Sequence, residues 1–234
     1  MKQYNGEKAI ISLTSWKERI NTVGKTLYSL LKMCPGFHIV LVLSEEEFPK
    51  KEKELPEELM LFVDNDLIEI LWVYKNYKAF KKVLFTMDKY RNVPVISADD
   101  DCIYLRNYAQ DFYDEWLKHK DCFISCWGKK YRNFNNGYTT NTAGAATLYP
   151  PFIFEEIGIK NLSDDLLKLT NQDDIYYLCL KMKMKLNNVI INGSHRTTYK
   201  FHDEKNPIHN EYNVLNMSDK YELIKKVFNK LKIY

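Results

Sequence analysis

Short apolar runs of strand length alternate with longer stretches of helical period through the first half of the chain. This alternation is typical of repeated βα units, which place parallel strands in one sheet and cover that sheet with helices. We predict strands at residues 9–13, 38–43, 68–73, 93–97 and 122–126. Because we find no internal repeat and no Pro/Ser-rich linker, the 234 residues are predicted to form one α/β domain with a central, mainly parallel sheet.

The segments between these strands carry apolar stripes that indicate helices. The stripe of the first crossover has helical spacing, stops at Pro35-Gly36 and consists of Val23, Leu27, Leu30, Leu31 and Cys34. The second crossover is shorter and charged. The third has a stripe within residues 79–87, and the lysines on its opposite face, which we expect to meet solvent, are Lys78, Lys81, Lys82 and Lys89. A fourth helix is predicted to follow near Tyr108.

The second half of the chain is less regular. A polar, aromatic stretch at 127–137 has no period and is interpreted as a long functional loop. We predict a helix at 173–183, a strand at 189–191, an irregular tail at 195–216 and a basic amphipathic helix at 220–232. The apolar face of this last helix either packs against the domain, which we favour, or docks the protein on anionic lipid.

The composition limits the classes of function. A net charge of +3 argues against a dedicated nucleic-acid binder, and 45% hydrophobic residues argue against disorder. The five cysteines form no CxxC pair and are odd in number, which predicts reduced, buried thiols. No apolar run has the length of a signal-peptide core or a spanning helix, so we expect a cytoplasmic protein, soluble or peripheral on the inner face of the membrane.

Three adjacent carboxylates, Asp99, Asp100 and Asp101, follow the strand predicted at 93–97. The carboxyl ends of strands are where open α/β sheets bind ligands. Adjacent anions repel each other unless a cation or hydrogen-bond donors compensate them, and alternate residues of an extended segment point the same way. A divalent ion held by Asp99 and Asp101 would relieve that repulsion. The alternative is a solvated acidic turn with one aspartate capping the next segment.

A second acidic pair, Asp173-Asp174, precedes the helix predicted at 173–183. Aspartates at this position are also ordinary helix N-terminal residues, favoured by capping and by the helix dipole. A carboxylate at a helix start is nevertheless able to act as a general base if it faces the ligand edge of the sheet.

Other motifs carry less weight. The segment Gly24-Lys25-Thr26 resembles the end of a phosphate-binding loop, but Arg19 stands where that motif needs glycine. The absence of GxGxxG argues against a nicotinamide or flavin enzyme. We interpret His38 and His119 as structural, whereas His195 and His202 in the tail are candidates for contact with a metal or a diphosphate, the alternative being surface histidines.

Taken in order, these motifs resemble bacterial glycosyltransferases of the nucleotide-sugar-dependent GT-A type, particularly capsule and lipopolysaccharide enzymes. The resemblance covers most of the chain and rests on the following segments: Ile11-Ser12-Leu13-Thr14-Ser15-Trp16 with Arg19-Ile20, Val42-Leu43-Ser44 with Phe48-Pro49, Lys82, Asp99-Asp100-Asp101 with Tyr104, Ala143-Gly144-Ala145-Ala146-Thr147-Leu148-Tyr149-Pro150-Pro151, and Asp173-Asp174-Ile175. The DxD segment and the Tyr-Pro-Pro segment fall in the order that this family shows. Ala145 and Ala146 replace the glycine and bulkier aliphatics that are common there.

The resemblance implies a GT-A-like, Rossmann-like fold with a nucleotide-sugar-binding half at 1–126, an acceptor-binding half at 127–216 and the C-terminal helix at 217–234. It implies that the donor nucleotide-sugar contacts Thr14, Ser15, Arg19, Lys82, Asp99, Asp100 and Gly144. It implies that Mn²⁺ or Mg²⁺ binds Asp101 and Asp99, and our candidates for further ligands are His195 and His202. Asp174, with Asp173 second, is the expected general base of an inverting transfer to a glycan or lipid-linked acceptor in surface polysaccharide synthesis.

Two other functions stay open at this point. One is a sugar nucleotidyltransferase, although such enzymes usually have a glycine-rich and arginine-rich phosphate loop after the first strand, and residues 14–21 contain no glycine. The other is a carbohydrate-binding module without catalysis, which would stack sugars on the aromatic residues Trp127, Tyr131, Phe134 and Tyr138.

Overall fold

The computed structural model describes residues 6, 8–130, 139–141, 146–153, 173–191, 198–202 and 217–231. Its strands are β1 (Ile10–Thr14), β2 (His38–Ser44), β3 (Glu69–Val73), β4 (Val95–Ser97), β5 (Cys102–Tyr104), β6 (Phe123–Ser125), β7 (Gly128–Lys130), β8 (Thr139–Asn141), β9 (Thr147–Tyr149), β10 (Asn188–Ile190) and β11 (Tyr199–Phe201). Its α-helices are α1 (Val23–Met33), α2 (Glu57–Asp64), α3 (Lys81–Lys89), α4 (Tyr108–Lys118), α5 (Asp173–Lys183) and α6 (Met217–Leu231).

Seven strands form one central sheet in the order β10-β6-β9-β4-β1-β2-β3. All neighbouring pairs are parallel except those made by β9, which runs antiparallel to β4 and β6. The carboxyl ends of the six parallel strands therefore meet at one edge of the sheet, with β4 and β1 near its middle. This arrangement confirms the predicted α/β class with a central, mainly parallel sheet.

The sheet is buried on both faces because helices cover each side. Every residue of β2 is buried, which explains its continuous apolar sequence. Alternate residues of the strands face two separate cores: Ile11 lies in a core shared with α1, α2 and α4, and Ile10 in a core shared with α3, α5 and α6. The result is the three-layer arrangement expected of repeated βα units.

The predicted strands and helices are mostly confirmed, but the lysines of the third crossover are not where the pattern predicted them. Lys81 and Lys82 are 1% and 3% exposed, although the helical pattern assigned both to the solvent face. Each is buried because it ends on a carboxylate: Lys81 Nζ lies 2.7 Å from Glu47, and Lys82 Nζ lies 2.9 Å from Asp99. The prediction was wrong because periodicity alone does not show a buried ion pair with a distant residue.

The tail predicted as irregular contains a strand. β11 pairs antiparallel with β5, which directly follows the three aspartates, and this pairing brings the tail beside them. The loop predicted at 127–137 contains β7, which pairs with β8 just beyond the predicted end of that loop. Each of these strands has three residues, which is too short for a period-two pattern to be recognised in the sequence.

The C-terminal helix packs against the domain. In α6, Leu223, Ile224 and Val227 are buried in the same core as residues of α5, which confirms the favoured alternative for its apolar face.

All five cysteines are free and buried, as predicted. Within the described part of the chain, none of the helices combines the length and apolar character needed to cross a membrane.

Candidate active site

The three aspartates lie at the carboxyl end of β4, where the chain turns from β4 into β5. The backbone N–H of Asp99 donates a hydrogen bond to the Tyr104 hydroxyl at 3.0 Å, and Tyr104 is buried against Tyr108. The backbone carbonyl of Asp100 accepts a hydrogen bond from Thr26 Oγ1 of α1 at 2.8 Å. The turn that carries the carboxylates is therefore fixed by side chains from two sides.

Asp100 points into the protein and is anchored through both carboxylate oxygens. Arg19 Nη1 donates to its Oδ1 at 2.8 Å and Ser15 Oγ donates to its Oδ2 at 2.7 Å. Burial raises the pKa of Asp100 to about 6, although Arg19 opposes that shift. The Asp100 carboxylate thus ties the β1–α1 turn to the end of β4.

Asp101 shares the same arginine. Arg19 Nη1 also donates to Asp101 Oδ2 at 2.9 Å, and the thiol of Cys102 donates to Asp101 Oδ1 at 3.5 Å. Burial, with a contribution from Asp99, raises the pKa of Asp101, and Arg19 acts against this. For Arg19, burial alone would lower the pKa, but the neighbouring carboxylates outweigh burial and raise it. The guanidinium therefore stays charged.

Lys82 lies between Asp99 and Asp173, the first residue of α5. Lys82 Nζ donates to Asp99 Oδ1 at 2.9 Å and lies 3.9 Å from Asp173 Oδ2. Burial alone would lower the pKa of Lys82, but Asp99 and Asp173 raise it. Burial raises the pKa of Asp173, against the effect of Lys82. Asp173 Oδ2 is buried, and the part of the chain that the structure describes supplies it with no hydrogen-bond donor.

Asp174 occupies the same first turn of α5 but is less deeply buried. Its Oδ1 accepts a hydrogen bond from the backbone N–H of Ile175 at 2.9 Å.

Thr14, at the end of β1, donates through Oγ1 to the carbonyl oxygen of Val42 in β2 at 2.7 Å. Of the residues implied by the resemblance, the structure brings Ser15, Arg19, Lys82, Asp99, Asp100, Asp101 and Asp173 into one polar cluster. The roles of all of them in binding or catalysis stay predictions.

His202 contacts the backbone of Asp100 and Asp101. Its backbone N–H donates to the carbonyl oxygen of Asp101 at 2.9 Å, and its Nε2 lies 3.2 Å from Thr26 Oγ1 and 3.3 Å from the carbonyl oxygen of Asp100. The pairing of β11 with β5 thus brings His202 to the site, but its imidazole faces backbone and hydroxyl groups. Gly144 and His195 lie outside the described residues, and their roles also stay predictions.

One group of side chains in the described residues has the spacing of a metal site. The ligand atoms of Asp99, Asp101 and Cys102 lie within 4.8 Å of one another. Carboxylate oxygens suit Mn²⁺ or Mg²⁺. The Cys102 thiol is fully buried, burial raises its pKa, and it donates to Asp101, so we do not count it as a ligand. The residues therefore fit a hard divalent ion through Asp99 and Asp101.

The charge balance differs from the sequence-based expectation. Arg19 and Lys82 compensate part of the charge of the three aspartates, so side-chain cations contribute to the charge balance at this edge. Sequence reasoning also missed Thr26, which it dismissed with the false phosphate-loop motif, and Cys102. A hydroxyl or thiol whose partner lies on another element leaves no local signal, and no pattern in the sequence would have found either residue.

The chain matches no protein-family profile and no curated protein. Its fold is similar to S. aureus TarS 1-349 in complex with UDP, with a TM-score of 0.58 and 11% identity over 95% of this chain and 65% of the TarS chain. TarS with UDP-GlcNAc gives a TM-score of 0.56 and 12% identity. A cytidylyltransferase from Leptospira borgpetersenii gives 0.54 and 12% identity over 97% of this chain and 98% of that chain.

These similarities establish a GT-A-like, Rossmann-like fold for this chain. The chain spans 65% of the length of the TarS chain and nearly the whole of the cytidylyltransferase chain. Identities this low show the fold alone, so the activity follows from the geometry of the site and is a proposal.

Proposed function

We propose that this protein is a metal-dependent glycosyltransferase that moves a sugar from a nucleoside-diphosphate donor to a hydroxyl group of a glycan or lipid-linked acceptor in surface polysaccharide synthesis. The observation that carries the proposal is the convergence of Asp99, Asp101 and Asp173 at the carboxyl end of β4. Ligands of open α/β sheets bind at this edge. The fold is shared with TarS, which was solved with UDP and with UDP-GlcNAc, and this supports a nucleotide-sugar ligand in the proposal.

In this proposal Asp99 and Asp101 hold Mn²⁺ or Mg²⁺ and the donor. A divalent ion bound there supplies positive charge that stabilises the negative charge developing on the departing diphosphate. Arg19 fixes the orientation of Asp101 through the 2.9 Å bond to Oδ2. Because the side chains of Ser15 and Arg19 are engaged with Asp100, we assign these two residues to shaping the β1–α1 turn, which would approach the nucleotide.

A carboxylate of the first turn of α5 is proposed to accept the proton of the acceptor hydroxyl group. The geometry favours Asp173 over Asp174, which reverses the order expected from the sequence. Asp173 Oδ2 lies 3.9 Å from Lys82 Nζ, which binds Asp99, and has no hydrogen-bond donor within the described segments, whereas Asp174 Oδ1 is capped by the N–H of Ile175. Attack of the activated hydroxyl group on the face opposite the diphosphate inverts the anomeric configuration.

The test is a product assay with Mn²⁺ and a panel of UDP-, CDP- and GDP-sugars. We expect released nucleoside diphosphate, and a loss of at least about 100-fold in turnover for Asp173→Asn, which is the usual size of a lost general base. Asp101→Asn should also lower turnover, because it removes a proposed ligand of the divalent ion. Asp88→Asn, which changes an exposed aspartate paired with Arg91, is the matched control and keeps full turnover. Unchanged turnover in both site variants would contradict the assigned roles of Asp101 and Asp173, and a wild-type protein that binds glycans without releasing nucleoside diphosphate would favour the carbohydrate-binding module.

A sugar nucleotidyltransferase is the second candidate function. The near-complete mutual coverage with the Leptospira cytidylyltransferase favours it, and the absence of glycine in the turn after β1 counts against it. Release of pyrophosphate from a nucleoside triphosphate and a sugar 1-phosphate, without transfer from any nucleotide sugar, would establish this candidate in place of the glycosyltransferase.

A peripheral contact with the membrane is a further part of the proposal. Because the apolar side chains of α6 are buried, the contact is assigned to the exposed Lys225, Lys226 and Lys230 on its outer face. Cosedimentation with vesicles that contain anionic lipid, lost when the three lysines are changed to glutamine, is the expected result. Equal binding to neutral vesicles, or none to either kind, would contradict this assignment.

A further inference from the structure

Lys82 joins two distant parts of the chain at the proposed site, because its Nζ lies near both Asp99 and Asp173. It lies in the first turn of α3, and its side chain is only 4% exposed. Its backbone carbonyl oxygen accepts a hydrogen bond from Ser12 Oγ at 2.5 Å, and Ser12 Oγ pairs with Thr86 Oγ1 at 2.7 Å. Since Ser12 belongs to β1 in the middle of the sheet, the base of the Lys82 side chain is fixed to the sheet.

The Lys82 ammonium group sits between two carboxylates. It lies 2.9 Å from Asp99, at the end of β4, and 3.9 Å from Asp173, at the start of α5. These two carboxylates repel each other, and both are largely removed from water, with 29% and 11% of their side chains exposed. The Lys82 ammonium group between Asp99 and Asp173 reduces the repulsion between the two carboxylates.

We propose that Lys82 is a positioning residue that holds Asp99 and Asp173 side by side. This inference rests on the proposed function, because it couples the metal-binding and donor-binding aspartate to the aspartate that accepts the proton. It differs from the resemblance, which implies that the lysine contacts the donor. The buried ammonium group is turned to the two carboxylates, and its side chain presents little surface to a ligand.

The first experiment separates positioning from donor contact. Lys82→Met keeps the aliphatic stem but removes the charge that holds Asp173 beside Asp99, so Asp173 would move away while Asp99 keeps its place in the metal and donor site. We expect kcat to fall at least about 100-fold while the Kd for UDP, CDP or GDP with Mn²⁺ stays within about threefold. Lys82→Arg restores the charge, and its kcat should exceed that of Lys82→Met by at least tenfold.

The neighbouring lysine gives a matched control. Lys81 is equally buried but pairs with Glu47 at 2.7 Å instead of the site aspartates. Lys81→Met should lower the melting temperature but leave kcat within about threefold of the wild type. If Lys82→Met and Lys81→Met lose stability and activity to the same extent, the role of Lys82 is only structural and the proposal is overturned.

A second experiment needs no activity. In a thermal double-mutant cycle, Lys82→Met and Asp173→Asn should be non-additive, because removing the lysine leaves Asp173 buried without its cation and the second change relieves that cost. We expect the double variant to melt at least about 3 °C above the additive value. The cycle of Lys81→Met with Asp173→Asn should be additive.

The outcomes distinguish this inference from the proposed function. A tenfold weaker Kd for the nucleotide in Lys82→Met with kcat retained would make Lys82 a donor contact, and an additive Lys82–Asp173 cycle would remove the positioning role. If Lys82→Met does not fold, Lys82→Arg distinguishes positioning from donor contact. A positioning role predicts that Lys82→Arg has a lower kcat than the wild type at an unchanged Kd for the nucleotide. A wild-type protein that binds no nucleotide contradicts the proposed function, while the thermal cycle still tests Lys82.

Discussion

Arg19 donates from one atom, Nη1, to Asp100 at 2.8 Å and to Asp101 at 2.9 Å, and its side chain is 3% exposed. A buried carboxylate is costly unless it is paired and hydrogen-bonded. Asp100 has this compensation on both oxygens, from Arg19 and Ser15, and so belongs to the framework of the site. Asp101 is paired with Arg19 through Oδ2, which fixes its direction, and its Oδ1 accepts only the long thiol hydrogen bond of Cys102.

The anchoring role of Asp100 predicts a loss of stability. Asp100→Asn removes the charge that Arg19 and Ser15 bind, so we expect the free energy of unfolding in urea to fall by about 1–3 kcal/mol. The control is Asp88→Asn, which breaks an exposed pair with Arg91 and should change stability by less than about 0.5 kcal/mol. Equal effects of the two changes would mean that Asp100 is not an anchor.

Lys181 of α5 predicts a pH dependence of stability. Burial lowers the pKa of Lys181 to about 7, below its value in the unfolded chain. Between the two values the unfolded state binds more protons, so this lysine makes stability rise with pH from about 7 to about 10. Urea unfolding at pH 6, 7.5 and 9 should show a steeper rise for the wild type than for Lys181→Met.

A surface lysine checks that result. Lys225→Met removes a positive charge from the exposed face of α6 and should leave the slope of stability against pH unchanged. If the slope of stability against pH is the same for the wild type and for Lys181→Met, burial does not lower the pKa of Lys181.

At the scale of elements, the apolar face of the amphipathic helix α6 packs against the domain. Ile224 is fully buried in the core shared with α5. We expect Ile224→Ala to lower the free energy of unfolding by about 2–4 kcal/mol, because it deletes buried methyl groups and leaves a cavity. Lys226→Ala, on the exposed face of the same helix, should have an effect below about 0.5 kcal/mol. Equal losses would mean that α6 is not docked.

The long elements could be predicted because their signal is local. The buried strand β2 and the helix α1 each carry a full apolar pattern in their own sequence. The pairing of β5 with β11 could not be predicted, since each strand has three residues and their partnership joins segments almost a hundred residues apart. That pairing is what brings His202 beside the aspartates.

At the scale of the whole molecule, topology explains why the candidate site could be predicted in part. Parallel strands end at one edge, so the carboxylates after β4 were expected at the ligand edge, whereas the role of those at the start of α5 was only what the resemblance implied. The cations could not be predicted in the same way, because Arg19 lies 81 positions before Asp100 and no periodicity relates them. From the sequence, a divalent ion was therefore expected as the compensating cation, and neither Arg19 nor Lys82 was paired with the aspartates.

The central claim is that Asp99 and Asp101 bind a divalent ion together with a nucleoside diphosphate. The most direct measurement is the melting temperature with UDP, CDP or GDP, each with and without Mn²⁺. We expect at least one nucleotide to raise it by several degrees only when Mn²⁺ is present, since ligands of the native state stabilise it, and we expect Asp101→Asn to abolish that rise. No rise with any nucleotide, or an equal rise in Asp101→Asn, would contradict the claim.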